Sequence, residues 1–239
     1  MAVRLSQTLA VYMPRSKRSG TCVYCGAVGS VTSDHVPPKC LFPSATRINL
    51  ITVPACLPCN SSFKLDDEYF RLILSLRADL PEGPTATFLR EATKRSLRKP
   101  EAARLKASVL RSVEHRSIHS SGGIYLGDAP VMNVDYRRID ATASRVVKGL
   151  FAHVFREPLP ATHLVDIKFT ELQKNASAIE DPQIKELLTM LGQSGVHHES
   201  NDTIEAWAKL AEDDNFSSFW YFRILKTIGF FAFTVPKDG

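Results

Sequence analysis

Two cysteine pairs constrain this chain more than any other feature. Two residues separate Cys22 from Cys25 and Cys56 from Cys59, and thirty residues lie between the pairs. A C-x-x-C turn lets two thiolates converge on one ion, and two such turns complete the tetrahedral sulfur shell that zinc prefers. The spacing therefore predicts a structural zinc site that stabilises a segment too short to build its own core. Redox-active pairs and free thiols are the alternatives.

The composition is that of an ordinary globular protein. Of the 239 residues, 44% are hydrophobic and 23% are charged, and the mean hydropathy is −0.10. No run of about 18 apolar residues occurs, so we expect no transmembrane helix and no membrane partner. The first twenty residues lack the features of a signal peptide, and we expect a cytoplasmic protein. In a reducing compartment, five cysteines favour metal binding or catalysis over disulfides.

The residues around the cysteine pairs predict two strands and a helix. "SVTSDHVPP" is typical of a short strand that ends at the Pro37-Pro38 dipeptide. "INLITVPAC" is a second β-branched run that leads into the second cysteine pair, and apolar residues at helical spacing follow it. The order of knuckle, strand, loop, strand, knuckle and helix is compatible with a treble-clef or ββα arrangement in which the second knuckle opens the helix.

Four polar residues in this segment have chemistry that a hydrolytic site uses. Asp34 and His35 stand at the end of the first predicted strand, where a hard oxygen ligand lies beside a group that titrates near neutral pH. Asn49 can bond an imidazole nitrogen, and Asn60 directly follows the fourth paired cysteine. On these residues the segment 21–67 resembles the HNH nuclease family, whose ββα-metal core is often braced by a four-cysteine zinc.

The resemblance implies a role for each of these residues. His35 matches the general base, and Asp34 matches the acidic metal ligand that precedes it. Asn49 matches the residue that orients the base through its other ring nitrogen. Asn60 matches the helix-borne metal ligand, so the last residue of the motif is Asn here. A shell of these two ligands, water and phosphate oxygens suits Mg²⁺, with Mn²⁺ as a substitute.

Two lysines near these residues are expected to contact phosphates. The family sometimes has a further metal ligand four residues beyond the position of Asn60, and here that residue is Lys64. A lysine does not bind a cation, but it can neutralise a phosphate. Lys39, in "PPKC", is assigned the same role.

Each of these residues also has an ordinary interpretation. An Asp-His dipeptide is usually a surface pair, an Asn after a cysteine pair is commonly a helix N-cap, and an isolated Asn49 would be a turn residue. Cys40 is either a nucleophile with His35 as its base or a small apolar side chain, and we favour the second interpretation. The joint placement of the polar residues inside one zinc frame favours a catalytic site.

The rest of the chain divides into a basic helical segment and a mixed region. Residues 85–120 predict two helices that are parted at Pro100, with nine Lys or Arg against three Glu between Arg90 and Arg116. The formal net charge is +5 and the isoelectric point about 9.0, which favours a polyanionic partner. The basic helices either lie along a phosphate backbone or present a solvated face.

For residues 122–239 we predict an α+β domain with its own core. Strands are expected in 124–136 and 163–169, helices in 138–155, 182–193 and 203–212, and a hairpin in 217–236. The aromatic run 219–222 is either a base-stacking platform or, as we favour, a buried strand. The predicted division is a basic N-terminal segment 1–18, an HNH core 19–67, a basic helical segment 68–121 and the α+β domain 122–239.

Together, these features and the resemblance to the HNH family predict a metal-dependent endonuclease that hydrolyses DNA phosphodiester bonds and nicks one strand per active site. RNA stays open as a substrate, and cleavage of two strands would need a homodimer or a second encounter; a protein partner is also open. The habits of the family suggest restriction or defence against foreign DNA. The alternative is a non-catalytic zinc-finger module that binds nucleic acid or protein, which would not need Asp34, His35 and Asn60 together.

Overall fold

The computed structural model describes residues 18–77, 80, 82–169, 182–200, 204–225 and 228–237, a mixed α+β structure as predicted. Its strands are β1 (Arg18–Thr21), β2 (Val28–Val36), β3 (Ile51–Cys56), β4 (Val113–His119), β5 (Tyr125–Met132), β6 (His163–Phe169), β7 (Val196–Ser200), β8 (Ile204–Leu210), β9 (Ser218–Ile224) and β10 (Ile228–Pro236). Its α-helices are α1 (Leu57–Ser62), α2 (Lys64–Leu76), α3 (Pro84–Leu97), α4 (Ala103–Arg111), α5 (Tyr136–Phe155) and α6 (Pro182–Ser194). Short 3₁₀ helices span Lys39–Leu41, Ser44–Asn49 and Pro100–Ala102. Residues 1–17 of the predicted basic N-terminal segment lie outside the described residues.

The N-terminal sheet has three antiparallel strands in the order β1-β2-β3, and α1 follows β3 directly. The prediction of two strands followed by a helix is therefore confirmed. In the β2–β3 register, Asp34 stands opposite Val53 and His35 opposite Thr52. Pro37 and Pro38 come directly after β2, where a missing backbone N–H and a fixed φ angle end the ladder.

A second sheet of five antiparallel strands has the order β6-β10-β9-β8-β7. The terminal hairpin is confirmed as β9 and β10. The helix predicted for 203–212 is wrong, because this segment contains β8. Ala, Glu and Lys favour a helix locally, but pairing with a neighbour on each side and burial of alternate residues, Ile204, Ala206 and Ala208, outweigh that preference.

Both faces of the five-stranded sheet are covered. Trp220 and Phe222 belong to the core cluster on the α5 side, while Phe219 and Tyr221 pack with Leu191 of α6. All four aromatic side chains of the run 219–222 are at most 7% exposed. The interpretation of this run as a buried strand is confirmed, and its rings are not available to stack on bases.

One hydrophobic cluster joins elements that are far apart in the sequence. It contains Val36 at the end of β2, Phe42 in the segment that follows, Leu89 of α3, Leu150 of α5 and Phe230 of β10. Residues 122–239 therefore share their core with residues 19–67 instead of building one alone. The predicted domain boundaries themselves stay a prediction.

The basic segment forms α3 and α4, parted by the 3₁₀ helix that begins at Pro100, as predicted. Its last part was expected to be helical but is β4, which pairs with β5 as an antiparallel hairpin. This pairing partner lies beyond the segment, so local helix propensity did not reveal it. None of the described helices has the length and apolar character needed to cross a bilayer.

Helix α5 approaches the end of β2 very closely, at Gly149. A Cβ atom at this position would lie 2.4 Å from Cγ2 of Val36, which is 1% exposed. Real Cβ atoms do not approach so closely, so one of the two elements would have to move. Val36 directly follows His35, and the contact therefore fixes the strand end that carries Asp34 and His35.

We expect Gly149→Ala to lower the free energy of unfolding by about 1–3 kcal/mol, because overpacking a filled core forces side chains and backbone apart. Gly192→Ala is the matched control, since a Cβ there meets nothing within 4 Å in α6. The control should raise stability by about 0.4–1 kcal/mol through the unfolded state. Urea unfolding of both variants measures the difference, and equal stability of Gly149→Ala and the wild type would contradict the packing argument.

Candidate metal centre and active-site cleft

The four paired cysteines converge at the edge of the N-terminal sheet. The Sγ atoms of Cys22, Cys25, Cys56 and Cys59 all lie within 4.8 Å of one another, and those of Cys25 and Cys56 are 3.7 Å apart. A tetrahedral shell with bonds of 2.3 Å would place its sulfur atoms about 3.8 Å apart. The cluster is therefore of the right size and chemistry to hold a zinc ion.

Local backbone geometry shapes each half of this cluster. The first knuckle turns back at Gly26, which has a φ of +75° and donates its N–H to the carbonyl oxygen of Cys22 at 2.9 Å. The second knuckle starts at the last residue of β3 and continues into α1. Val23 donates its N–H to Pro54 O at 3.0 Å, which joins the first knuckle to β3, the strand that leads into the second.

A cleft of about 390 Å³ lies beside the metal centre, between the end of β2, the following 3₁₀ helix, α1 and the first two turns of α2. Five of the predicted site residues line it together: Asp34, His35, Lys39, Asn60 and Lys64. The backbone of Asn49 ends the 3₁₀ helix before β3. Its side chain lies outside what the structure describes, so the assigned orienting role stays a prediction.

His35 is half-buried in this cleft. Burial, with the positive charge of Lys39 adding to it, lowers the pKa of the imidazole below its usual value. Asp34 opposes this shift, but its effect is smaller. The imidazole is therefore neutral at neutral pH and able to accept a proton.

Asp34 is buried and is held in place by three groups. The Tyr24 hydroxyl donates to its Oδ2 at 2.7 Å, and the backbone N–H of His35 donates to its Oδ1 at 2.9 Å. The Nε atom of Arg145, on α5, is 4.0 Å from Oδ2. Burial raises the pKa of Tyr24, so that side chain stays a hydrogen-bond donor. These contacts fix the carboxylate where it faces the cleft.

The amide of Asn60 is oriented by a short chain of hydrogen bonds. The hydroxyl of Thr32, on β2, donates to Ala55 O at 3.0 Å, so its oxygen must accept the bond from Nδ2 of Asn60 at 2.8 Å. The carbonyl Oδ1 is left without a partner in the described part of the chain and is available to a cation. Asn60 lies inside α1 and does not cap it, because the N-cap is Cys56.

Arg145 connects the cleft to α5. Its side chain is 3% exposed, donates to Oδ1 of Asp67 at 2.6 Å and lies over the ring of Phe63 at 4.6 Å. Because the same guanidinium also faces Asp34, it bridges a residue of β2 and a residue of α2. Burial raises the pKa of Asp67 to about 6, against the attraction of Arg145, which lowers it.

Sequence reasoning missed Asp67, Glu68, Arg71 and Arg145. The first three line the cleft with Lys64 because they follow it along one face of α2 at intervals of three, four and seven residues. That periodicity was visible in the sequence and could have found them. Arg145 had no local signal, since only packing brings α5 to this place.

Cys40 also lines the cleft, but its thiol is poorly suited to be a nucleophile. Its Sγ lies 3.7 Å from Asp67 O, and burial raises the pKa of the thiol to about 12. The thiolate, which is the reactive form, is therefore scarce at neutral pH. The interpretation of Cys40 as a small packed side chain fits this geometry.

We expect the purified protein to bind one zinc ion per chain, as measured by metal analysis after gel filtration. Cys25→Ser and Cys56→Ser should each lose zinc, because the shell then lacks one of its four thiolates. Cys40→Ser is the matched control and should keep the wild-type zinc content, since Cys40 is not part of the cluster. Equal zinc loss in all three variants would contradict the assignment.

We expect Arg145→Met to lower the free energy of unfolding by about 3–5 kcal/mol, because it leaves buried carboxylates without their cation. Arg137→Met, on the same helix, is the control: the Arg137 side chain is 92% exposed and, among the described residues, pairs with Asp135 alone. An exposed ion pair contributes at most about 1 kcal/mol. If urea unfolding showed the two variants to be equally stable, Arg145 would not have the bridging role described here.

No protein-family model, no curated protein and no solved structure matches this chain. The function proposed below therefore rests on the chain's own residues and on the geometry of the cleft that they line.

Proposed function

We propose that this protein is a metal-dependent HNH endonuclease that hydrolyses DNA phosphodiester bonds. The observation that carries the proposal is the cleft itself, in which Asp34, His35 and Asn60 meet beside a four-cysteine cluster. Such a site needs an acid and a histidine at the end of a strand. It also needs a helix that begins at the second cysteine pair and faces them. Two lysines at the same cleft supply positive charge for a phosphate.

Asp34 and Asn60 are the proposed metal ligands. The carboxylate of Asp34 is held by donors that leave lone pairs on both oxygens, and Asn60 offers its Oδ1 because its Nδ2 is bonded to Thr32. A set of oxygen donors suits Mg²⁺ or Mn²⁺. When bound, the ion would polarise the scissile phosphate and stabilise negative charge on the leaving 3′-oxygen.

His35 is the proposed general base. Phosphodiester hydrolysis needs a group that removes a proton from the attacking water, and that group must be in its unprotonated form at the working pH. The lowered pKa of His35 keeps its imidazole neutral at neutral pH, so that a ring nitrogen can accept the proton. Asn49 would hold the imidazole in the correct tautomer, as the resemblance implies.

Lys39 and Lys64 are proposed to bind the phosphate that is attacked. Both side chains are exposed at the cleft and form no ion pair with any described residue. Their charge would lower the cost of bringing a dianionic transition state into the cleft. Zinc would act indirectly, because Cys59 and Asn60 are adjacent in α1 and a fixed cysteine fixes the ligand beside it.

The test is conversion of supercoiled plasmid by zinc-loaded protein with Mg²⁺ or Mn²⁺, beside an RNA oligonucleotide of matched length. The wild type should nick DNA, while His35→Ala should lose activity by at least about 100-fold, the usual contribution of general-base catalysis. Asn60→Ala should also lose activity, because it removes a proposed metal ligand. His115→Ala, an exposed histidine of β4, is the matched control and should stay fully active. Zinc content and circular dichroism show whether each variant is folded.

A non-catalytic zinc module that binds nucleic acid is the second candidate. The observation that favours it is a set of positively charged side chains in α3, in α4 and in the segment between them. Among the described residues, these side chains form no ion pair with an acidic group: Arg95, Arg98, Lys99, Arg104, Lys106 and Arg111. If the wild type and the two cleft variants bound DNA equally and none cleaved it, the module would replace the nuclease. Calorimetry with Mg²⁺ on zinc-saturated protein separates the two further, since only the nuclease needs a second metal site that depends on Asp34 and Asn60.

A further inference from the structure

Arg71 lines the cleft, but it is neither a proposed metal ligand nor a partner of the proposed general base. It lies on α2 and is half-buried, and its guanidinium faces the same cleft as Lys64 and Glu68. Its Nε atom is buried and has no hydrogen-bond partner within the described part of the chain. A buried donor without an acceptor costs free energy, and a small shift of the side chain that brings Nε to an oxygen of a ligand removes that cost.

The surroundings of Arg71 leave this donor for a ligand. Glu68, one turn earlier on the same helix, does not form an ion pair with it. The nearby carboxylate of Asp67 is bonded to Arg145 instead. A planar guanidinium that is unpaired and partly desolvated is well suited to bind a phosphate.

Arg71 lies well apart along α2 from Lys64, the cation assigned to the scissile phosphate. Lys64 and Arg71 are seven residues apart, which is two helical turns and about 10 Å. Side chains two turns apart on one helix face are able to contact two neighbouring phosphates of a strand, one cation to each. Glu68 lies between them on the same face, where its carboxylate would repel a phosphate and leave room for the sugar between two of them.

We propose that Arg71 forms a second phosphate subsite, which binds the phosphate that neighbours the scissile one on a polynucleotide strand. The inference rests on the proposed nuclease function and adds to it a second point of contact with the strand. A site with two phosphate positions recognises a chain of nucleotides and not a single phosphodiester. Arg71 would act in binding and not in the chemical step.

The test compares Arg71→Gln on two substrates, a single-stranded oligonucleotide and bis(4-nitrophenyl) phosphate, which has one phosphate only. On the oligonucleotide we expect KM to rise about tenfold with kcat within about twofold, because one charge-assisted contact is lost from binding. On bis(4-nitrophenyl) phosphate the variant should equal the wild type. Arg71→Lys keeps the charge and should recover part of the affinity. Equal losses on both substrates, or none on either, would overturn the proposal.

A binding measurement keeps the proposal testable if the wild type hydrolyses neither substrate, which would count against the nuclease function itself. The protein is loaded with zinc, and no Mg²⁺ or Mn²⁺ is added, so that the cleft holds no metal. Fluorescence anisotropy of the labelled oligonucleotide at several salt concentrations then gives the slope of the log of the association constant against the log of the salt concentration. Losing one phosphate contact should reduce that slope by about 0.7 for a single strand. Arg137→Gln, which removes the same charge from an exposed position outside the cleft, should leave the slope unchanged. An unchanged slope for Arg71→Gln would overturn the subsite.

Discussion

A buried arginine holds the cleft together. Arg145 lies between the carboxylates of Asp67 and Asp34, with its side chain 3% exposed, and it comes from a helix that is remote from both in the sequence. One turn further along that helix, Val36 packs against Gly149 so closely that the Cβ atom of any other residue would clash with it. The same stretch of α5 therefore fixes both the end of β2 and the start of α2. These two elements carry most of the polar residues of the cleft.

The cysteine cluster and the cleft form one mechanical unit. Cys56 ends β3, Cys59 lies one turn into α1, and Asn60 is its direct neighbour. The hydrogen bond from Asn60 to Thr32 then ties this turn of helix to β2. A metal held by the four sulfur atoms would restrain α1, and through α1 the orientation of the amide. The zinc site thus contributes to the cleft without taking part in its chemistry.

The acidic and the basic side chains of the cleft differ in how many protein partners they have. Asp34 and Asp67 already have donors from the protein, namely Tyr24 and Arg145. Lys64 and Arg71 have no hydrogen-bond or ion-pair partner in the part of the chain that is described. Positive charge is thus left for a ligand, while two of the three carboxylates of the cleft already accept hydrogen bonds from the protein, and this asymmetry favours an anion such as a phosphate.

What the sequence determined by itself was local. The spacing of the cysteines, the strand that ends at Pro37 and the Asp34–His35 pair at that end all depend on residues close together in the chain, where turn geometry and periodicity are decisive. The helical face that adds Arg71 to Lys64 was visible in the same way. Only the tertiary structure decided that Arg145 reaches Asp34, and that 203–212 contains a strand. Strand pairing and burial outweigh the local helix preference of 203–212, and packing alone brings α5 to Asp34, because the free energy of packing depends on partners that no short segment contains.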